Sequence, residues 1–334
     1  MFPQVTPTVY HYQDSSSLYS AFQRDGYVVV SDLPISSDDI TFKFIQDLKQ
    51  IIPVPVDITP ENMWSLQEVR DYPGSRMQGL VGEYGLSQGD AAWAVRTNAG
   101  IQEVFQCLLN TDKDNLVCST DAIGFSTDNE LTSNAKWLHT DQNRLILGND
   151  ILSIQSIFYA EDTPEDPDGL YACTVVVPGS HLDDNTLSIH TSHFCMVDRK
   201  SNYYNRAVRL RMKKGQLVLF NSYLVHQGWH GRHRLCFMVS YGLKSNRTEL
   251  VKQRKVLMYL CGHKSTHWSH LGQLHGHKYL QEEASDWLAL VPRLINNPPA
   301  DLIDYFKRDL YEIGTDWYTD DLDTYIPTER LNLL

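Results

Sequence analysis

A β core of sandwich or jelly-roll type, packed by N- and C-terminal helices, is what this sequence predicts. The middle third of its 334 residues breaks into short apolar runs, whereas the flanks carry apolar residues at helical spacing. Turn residues punctuate the middle third at Pro164, Pro167, Asp168-Gly169, Pro178-Gly179 and Lys214-Gly215. Many short strands with irregular connections argue against alternating βαβ units. The expected organisation is a single domain over 1–334: a helical and loop part to 115, the β core over 116–245, and a helical part from 246.

Residues 15–24 space Leu18, Tyr19 and Phe22 as a short amphipathic helix, stopped at Asp25-Gly26, and Tyr27 to Val30 then reads as a strand. Ser37 to Ile51 reads as a second helix, capped by Ser-Ser-Asp-Asp and stopped by Pro53. From Pro53 to Gly89 there is no clear period, which predicts long ordered loops. Ile101, Val104, Phe105 and Leu108 restore helical spacing over Ala99 to Leu109. Strands are expected at Leu116 to Ser126, Asp150 to Tyr159, Ala172 to Val177, Val208 to Met212, Gln216 to Asn221 and Arg234 to Tyr241. The polar stretch Asp183 to Asn205 reads as a lid. Helices return at His277 to Val291 and Pro299 to Tyr311.

Composition narrows the function. A net charge of -12, from 29 Lys and Arg against 41 Asp and Glu, comes without any basic run to follow a phosphate backbone. Nucleic acid and anionic membrane are therefore not expected partners. The six cysteines, at 107, 118, 173, 195, 236 and 261, form no CxxC pair and read as reduced thiols. No basic region followed by an apolar stretch opens the chain, and no run of about 18 apolar residues occurs. A cytoplasmic setting is expected.

Chemistry concentrates at His139-Thr140-Asp141, with His226 lying 85 positions beyond Asp141. Successive strand side chains point to opposite faces, so His139 and Asp141 share a face if Trp137 to Asn143 is extended. Two imidazoles and one carboxylate suit Fe(II), binding one face of the ion and leaving the other open. The tripeptide alone is a weak signal, and the downstream residues give it weight. They are an apolar strand ending Pro178-Gly-Ser-His181, a Gly215-led strand followed by His226, and Arg234 at the head of Arg-Leu-Cys-Phe-Met-Val-Ser-Tyr.

In this order the residues resemble the phytanoyl-CoA dioxygenase (PhyH-like) family of Fe(II)/2-oxoglutarate oxygenases, and Phe22-Gln-Arg-Asp-Gly-Tyr-Val-Val-Val30 resembles its opening helix and strand. The resemblance spans roughly residues 18–245, more loosely over 50–115. It implies a double-stranded β-helix core, with Fe(II), 2-oxoglutarate and O2 as cofactor and cosubstrates. It also implies His139, Asp141 and His226 as metal ligands and Arg234 as the anchor of the 2-oxoglutarate C5 carboxylate. A planar guanidinium suits that role because it grips a carboxylate through two parallel hydrogen bonds. Arg232 falls in the same window, in Gly231-Arg-His, which reads as a loop. The implied reaction hydroxylates a small organic substrate and releases succinate and CO2. Related halogenases carry a small residue at the carboxylate position, so Asp141 argues against halogenation and leaves desaturation and ring formation open beside hydroxylation.

Gln155, Thr174 and Ser240 are candidate cosubstrate contacts, as is Ser156, and Asn143, Arg144 and Trp229 are candidate substrate contacts because they flank ligands in sequence. His263, His267, His270, His275 and His277 lack the carboxylates or cysteines of a recognised zinc spacing and read as solvated or core histidines. Two rival functions fit the residues: a cupin-like metalloenzyme that does not use 2-oxoglutarate, and a non-catalytic β-roll binding module.

Overall fold

The structure, a computed structural model, describes residues 1–52, 57–70, 79–82, 85–128, 136–144, 153–183, 189–190, 195–260, 262, 264–267 and 326–334. Their strands form two sheets. The larger runs β2 (Val9–His11), β3 (Tyr27–Ser31), β13 (Leu217–Asn221), β8 (Ile154–Tyr159), β15 (Arg234–Leu243), β6 (Ile123–Ser126) and β4 (Leu80–Val81), with β5 (Leu116–Cys118) also pairing β15. The smaller runs β1 (Gln4–Val5), β12 (Val208–Leu210), β9 (Cys173–Val176), β14 (His226–Trp229), β7 (His139–Thr140), β11 (Cys195–Met196) and β10 (Ile189–His190). Both are antiparallel except where β1 and β2 join β12 and β3 in parallel. This is the jelly-roll core expected from the many short strands.

Strand periodicity divides the side chains into three layers. Between the sheets, Val29, Val218, Phe220, Tyr159 and Cys236 of the larger meet Val176 and Leu210 of the smaller. Outside the larger sheet, the alternate residues Val28, Val30, Leu217, Leu219, Phe158, Leu235, Phe237 and Val239 share one cluster with the helices. Outside the smaller sheet, Leu138, Cys173, Val175 and Trp229 pack with Phe2, Tyr203 and Tyr204. Burying each large apolar side chain contributes about 1.5–3 kcal/mol, so a strand shifted by one residue would lose several such terms at once.

Helices α1 (Ser15–Asp25), α2 (Ser37–Ile51), α3 (Asp90–Arg96) and α4 (Ala99–Leu109) cover the larger sheet. The Asp14 side chain caps α1 by accepting from the Ser17 N–H. Gly26 ends the helix at φ 75°, and its N–H donates to the Phe22 carbonyl. A Cβ there would lie 2.4 Å from His181 Nδ1, so both backbone angle and space demand glycine. Ser36 caps α2 by accepting from the Asp39 N–H, and Ile40, Phe44, Ile45, Leu48 and Ile51 form its buried stripe. A further helix, α5 (Glu249–Leu260), follows β15.

Several elements depart from the sequence expectation. Leu116 to Ser126 is two strands rather than one, because Ser119 to Ala122 leave the ladder. There the Ser119 N–H donates to the Ser240 carbonyl and buried Arg96 donates to the Asp121 carbonyl. The described part of the expected lid is built into the fold: β10 and β11 extend the smaller sheet from β7, and Tyr203 and Tyr204 are buried. The helices expected at 277–291 and 299–311 lie outside the described residues.

Candidate metal centre

His139 and His226 sit on neighbouring strands of the smaller sheet, directly paired in register, with side chains directed between the sheets. Only β7's two residues are extended, so the expected run from Trp137 to Asn143 is shorter than predicted. Past the strand, the Asp141 and Gln142 N–H groups both donate to the Ser222 carbonyl at 3.0 Å. That turn still returns the Asp141 carboxylate to the histidines. Its Oδ1 lies 3.4 Å from His139 Nε2 and its Oδ2 lies 3.1 Å from His226 Nε2. One ligand atom from each of the three buried residues falls within 4.8 Å of the others.

Hydrogen bonds on the far side of each ring decide which nitrogen faces this point. His139 Nδ1 lies 3.0 Å from the Trp137 carbonyl, and His226 Nδ1 lies 2.8 Å from the Leu224 carbonyl. A carbonyl only accepts, so both Nδ1 atoms carry the proton and both Nε2 lone pairs point at the shared site. Such an arrangement fixes the tautomer that a metal requires. Trp137 also stacks on His139 at 4.7 Å, and His230 stacks on Trp137 at 5.6 Å, forming one wall.

Burial disfavours the Asp141 carboxylate, but the imidazoles of His267, His226 and His139 outweigh it and hold the carboxyl well below its ordinary range. Burial likewise opposes charge on His139, yet the Asp141 carboxylate pushes it up. The same negative potential that favours a proton there favours a metal cation. Gln155 Nε2 donates to Asp141 Oδ2 at 2.6 Å and to Ser222 Oγ at 3.3 Å, and Ser222 Oγ donates to the Ser153 carbonyl at 2.7 Å. Gln155 thus orients the carboxylate.

A cavity of about 230 Å³ opens from the triad between the sheets. Gln155, Ser156, Thr174, Arg234 and Ser240, the expected cosubstrate residues, all line it. Thr174 Oγ1 is 2.7 Å from the Tyr159 hydroxyl. Arg234 is 6 % exposed, whereas Arg232 is on the surface. Arg234 Nη2 donates to the Gly79 carbonyl at 3.3 Å, its Nε has no hydrogen-bond partner, and no carboxylate among the described residues pairs with it. A buried guanidinium without a counter-ion costs several kcal/mol, which a bound carboxylate offsets. Gly124, on β6 opposite Cys236, makes room for it: a Cβ there would lie 2.4 Å from Cys236 Sγ and 3.1 Å from Arg234 Nε.

The expected substrate contacts fare differently. Trp229 does not line the cavity: three residues beyond inward-facing His226, strand alternation turns it outward, where it donates to the Gly169 carbonyl at 3.0 Å and packs against Phe2. That parity is available in the sequence. Arg144 turns away as well, its guanidinium 4.7 Å over the Tyr223 ring and donating to the His181 and Asp183 carbonyls. Asn143 is buried and absent from the cavity lining. Of the later histidine cluster, His267 is described and is not a solvated or core residue, for it lines the cavity with Nε2 3.7 Å from Asp141 Oδ1.

Residues 22–230 match the family described as phytanoyl-CoA dioxygenase (PhyH). Among curated proteins none matches the sequence. Among solved structures, EctD from S. alaskensis with 2-oxoglutarate and 5-hydroxyectoine is similar at 19 % identity and a TM-score of 0.46, over 75 % of this chain and 85 % of that one. The epimerase SnoN, in complex with Fe3+, alpha ketoglutarate and nogalamycin RO, is similar at 12 % identity and a TM-score of 0.44, over 69 % and 82 %. The non-heme monooxygenase ThoJ in its Ni complex is similar at 13 % identity and a TM-score of 0.39, over 86 % and 99 %.

Proposed function

The chain belongs to the phytanoyl-CoA dioxygenase family of iron- and 2-oxoglutarate-dependent enzymes, and from that premise we propose that it hydroxylates a small organic molecule at the His139, Asp141 and His226 site. The observation that carries the reading is the pair of Nδ1 contacts that aim both Nε2 atoms at the Asp141 carboxylate. The donor set, two imidazoles and one carboxylate, fits Fe(II). Bound there, the iron supplies the activation of O2 that 2-oxoglutarate decarboxylation drives.

The protein's own residues perform the rest. Arg234 would hold the distal carboxylate of 2-oxoglutarate in the cavity that Thr174 and Ser240 also line. Gln155 keeps Asp141 turned towards the histidines. The apolar lining from Ile157, Phe220 and Met238 excludes water around the reacting groups, and Trp137 and His230 form the wall on the substrate side. The acidic surface, with a net charge of -12, supports a substrate other than nucleic acid, and no helix among the described residues is long and apolar enough to cross a membrane.

The test is succinate and CO2 release from 2-oxoglutarate by purified protein, with and without Fe(II), together with a thermal shift on adding both. Metal-dependent succinate is the expected result; neither succinate nor a shift sinks the reading and leaves a binding module. A thermal shift with Fe(II) that 2-oxoglutarate does not increase, without succinate, would instead favour the metalloenzyme that does not use 2-oxoglutarate.

Gly124→Ala is expected to displace the Arg234 guanidinium from its channel. The overpacking costs about 1–3 kcal/mol of stability. A displacement that weakens the anchor by about 1.4 kcal/mol raises the KM for 2-oxoglutarate roughly tenfold. Urea unfolding and 2-oxoglutarate saturation curves read the two effects separately, and an unchanged KM would show that the space at Gly124 does not set the position of the Arg234 guanidinium.

A further inference from the structure

Asp141 is the single anionic group of the triad, so the site depends on how its two oxygens are turned. Gln155 governs Oδ2 through the 2.6 Å hydrogen bond from its amide. On the other side stands His267, with Nε2 3.7 Å from Oδ1. This residue lies outside the segment that matches the family, which ends at 230. Its placement is built. The Ser265 N–H donates to the Thr120 carbonyl at 3.0 Å and the Thr120 N–H donates back to Ser265 Oγ at 2.8 Å. Ser153 Oγ donates to the His267 carbonyl at 3.2 Å. Lys264 and Ser265 are 4 % and 0 % exposed. A segment of irregular backbone is thereby tied to the start of β8 and to the β5–β6 connection, and its imidazole enters the cavity beside Asp141.

His267 falls outside the group of nitrogen and oxygen donors that lie within 4.8 Å of one another, so it is not a fourth ligand in this geometry. We propose that His267 is a positioning residue for Asp141: from the Oδ1 side it sets the plane of the carboxylate, as Gln155 does from the Oδ2 side, so that one oxygen is presented to the metal. A separation of 3.7 Å exceeds a direct hydrogen bond, so His267 acts on Oδ1 as a polar ring set beside it. Groups that orient a metal's ligands govern affinity and coordination geometry without touching the ion. The inference rests on His139, Asp141 and His226 being the metal ligands.

The experiment uses Co(II) as a spectroscopic stand-in for Fe(II), titrated into the metal-free full-length protein and into His267→Leu, His267→Gln and His226→Ala. The leucine variant is expected to bind Co(II) about tenfold more weakly, with an altered visible d–d spectrum. Glutamine keeps a side-chain donor and is expected to restore both to near the parent values, while the metal-free melting temperatures of the His267 variants stay alike. His267→Ala replaces leucine if that variant does not fold. Parent-like affinity and spectrum in the leucine or alanine variant would overturn the proposal, as would glutamine failing as badly as leucine. Co(II) affinity in the parent no better than in His226→Ala would overturn the metal site itself.

Discussion

His226→Ala is expected to end succinate production from 2-oxoglutarate, lowering turnover by at least about 10³-fold, because the metal's contribution to catalysis amounts to several kcal/mol and each 1.4 kcal/mol is tenfold. The geometry of the side chain leaves it a single role. Its Nδ1 is committed to the Leu224 carbonyl at 2.8 Å, and its Nε2 lies 3.1 Å from Asp141 Oδ2. Alanine removes a ligand and also takes away the imidazole beside Asp141 Oδ2. The ring packs 4.7 Å from Phe220 and 4.5 Å from His139, so its loss opens a small void and strands a buried carbonyl, at a cost of about 1–3 kcal/mol. Thermal melting in the absence of metal separates this cost from the catalytic one. More than a tenth of parental succinate in a folded His226→Ala protein would show that the reactive metal sits elsewhere.

Arg234→Ala is expected to raise the KM for 2-oxoglutarate by roughly 30- to 5,000-fold, the range for truncating one partner of a buried, hydrogen-bonded charge pair worth about 2–5 kcal/mol. The cause is an imbalance in the protein itself. Arg234 is 6 % exposed, its Nε lacks a partner, and its Nη2 reaches the Gly79 carbonyl only at 3.3 Å. A carboxylate between Arg234 and the triad would complete it. Arg234→Lys is expected to recover part of the loss, since lysine keeps the charge but not the planar pair of donors. Exposed Arg232 serves as the control, and Arg232→Ala should leave saturation by 2-oxoglutarate unchanged. If the two variants behaved alike, the anchor would be misplaced.

The contrast between these two arginines shows where sequence reasoning has purchase. Arg234 begins an apolar run and Arg232 sits beside glycine, and the strand β15 duly starts at Arg234. The helices Ser37–Ile51 and Ala99–Leu109 are legible to the residue because capping side chains and a buried stripe are local signals. Strands β1 and β2 are not, since two or three edge residues carry no period. Trp229 is misplaced when nearness in sequence to His226 is weighed over the alternation of the strand they share. His267 is invisible for another reason: its position depends on Ser265 and Thr120, 145 residues apart, meeting through hydrogen bonds.

By itself, then, the sequence determined the β core, the residue types of an iron site, and the order in which they occur, because strand period, turn chemistry and ligand chemistry are properties of short segments. Tertiary structure decided which nitrogen of each histidine faces the site, which glycine makes room for the buried arginine, and which polar groups turn the carboxylate. The histidine orientations follow from the local backbone course, which puts the Trp137 carbonyl behind His139 and the Leu224 carbonyl behind His226, and the other outcomes depend on groups from other segments, such as Gly124 beside Arg234, and Gln155 and His267 on either side of Asp141. No local pattern records such meetings, since they follow from packing the two sheets together.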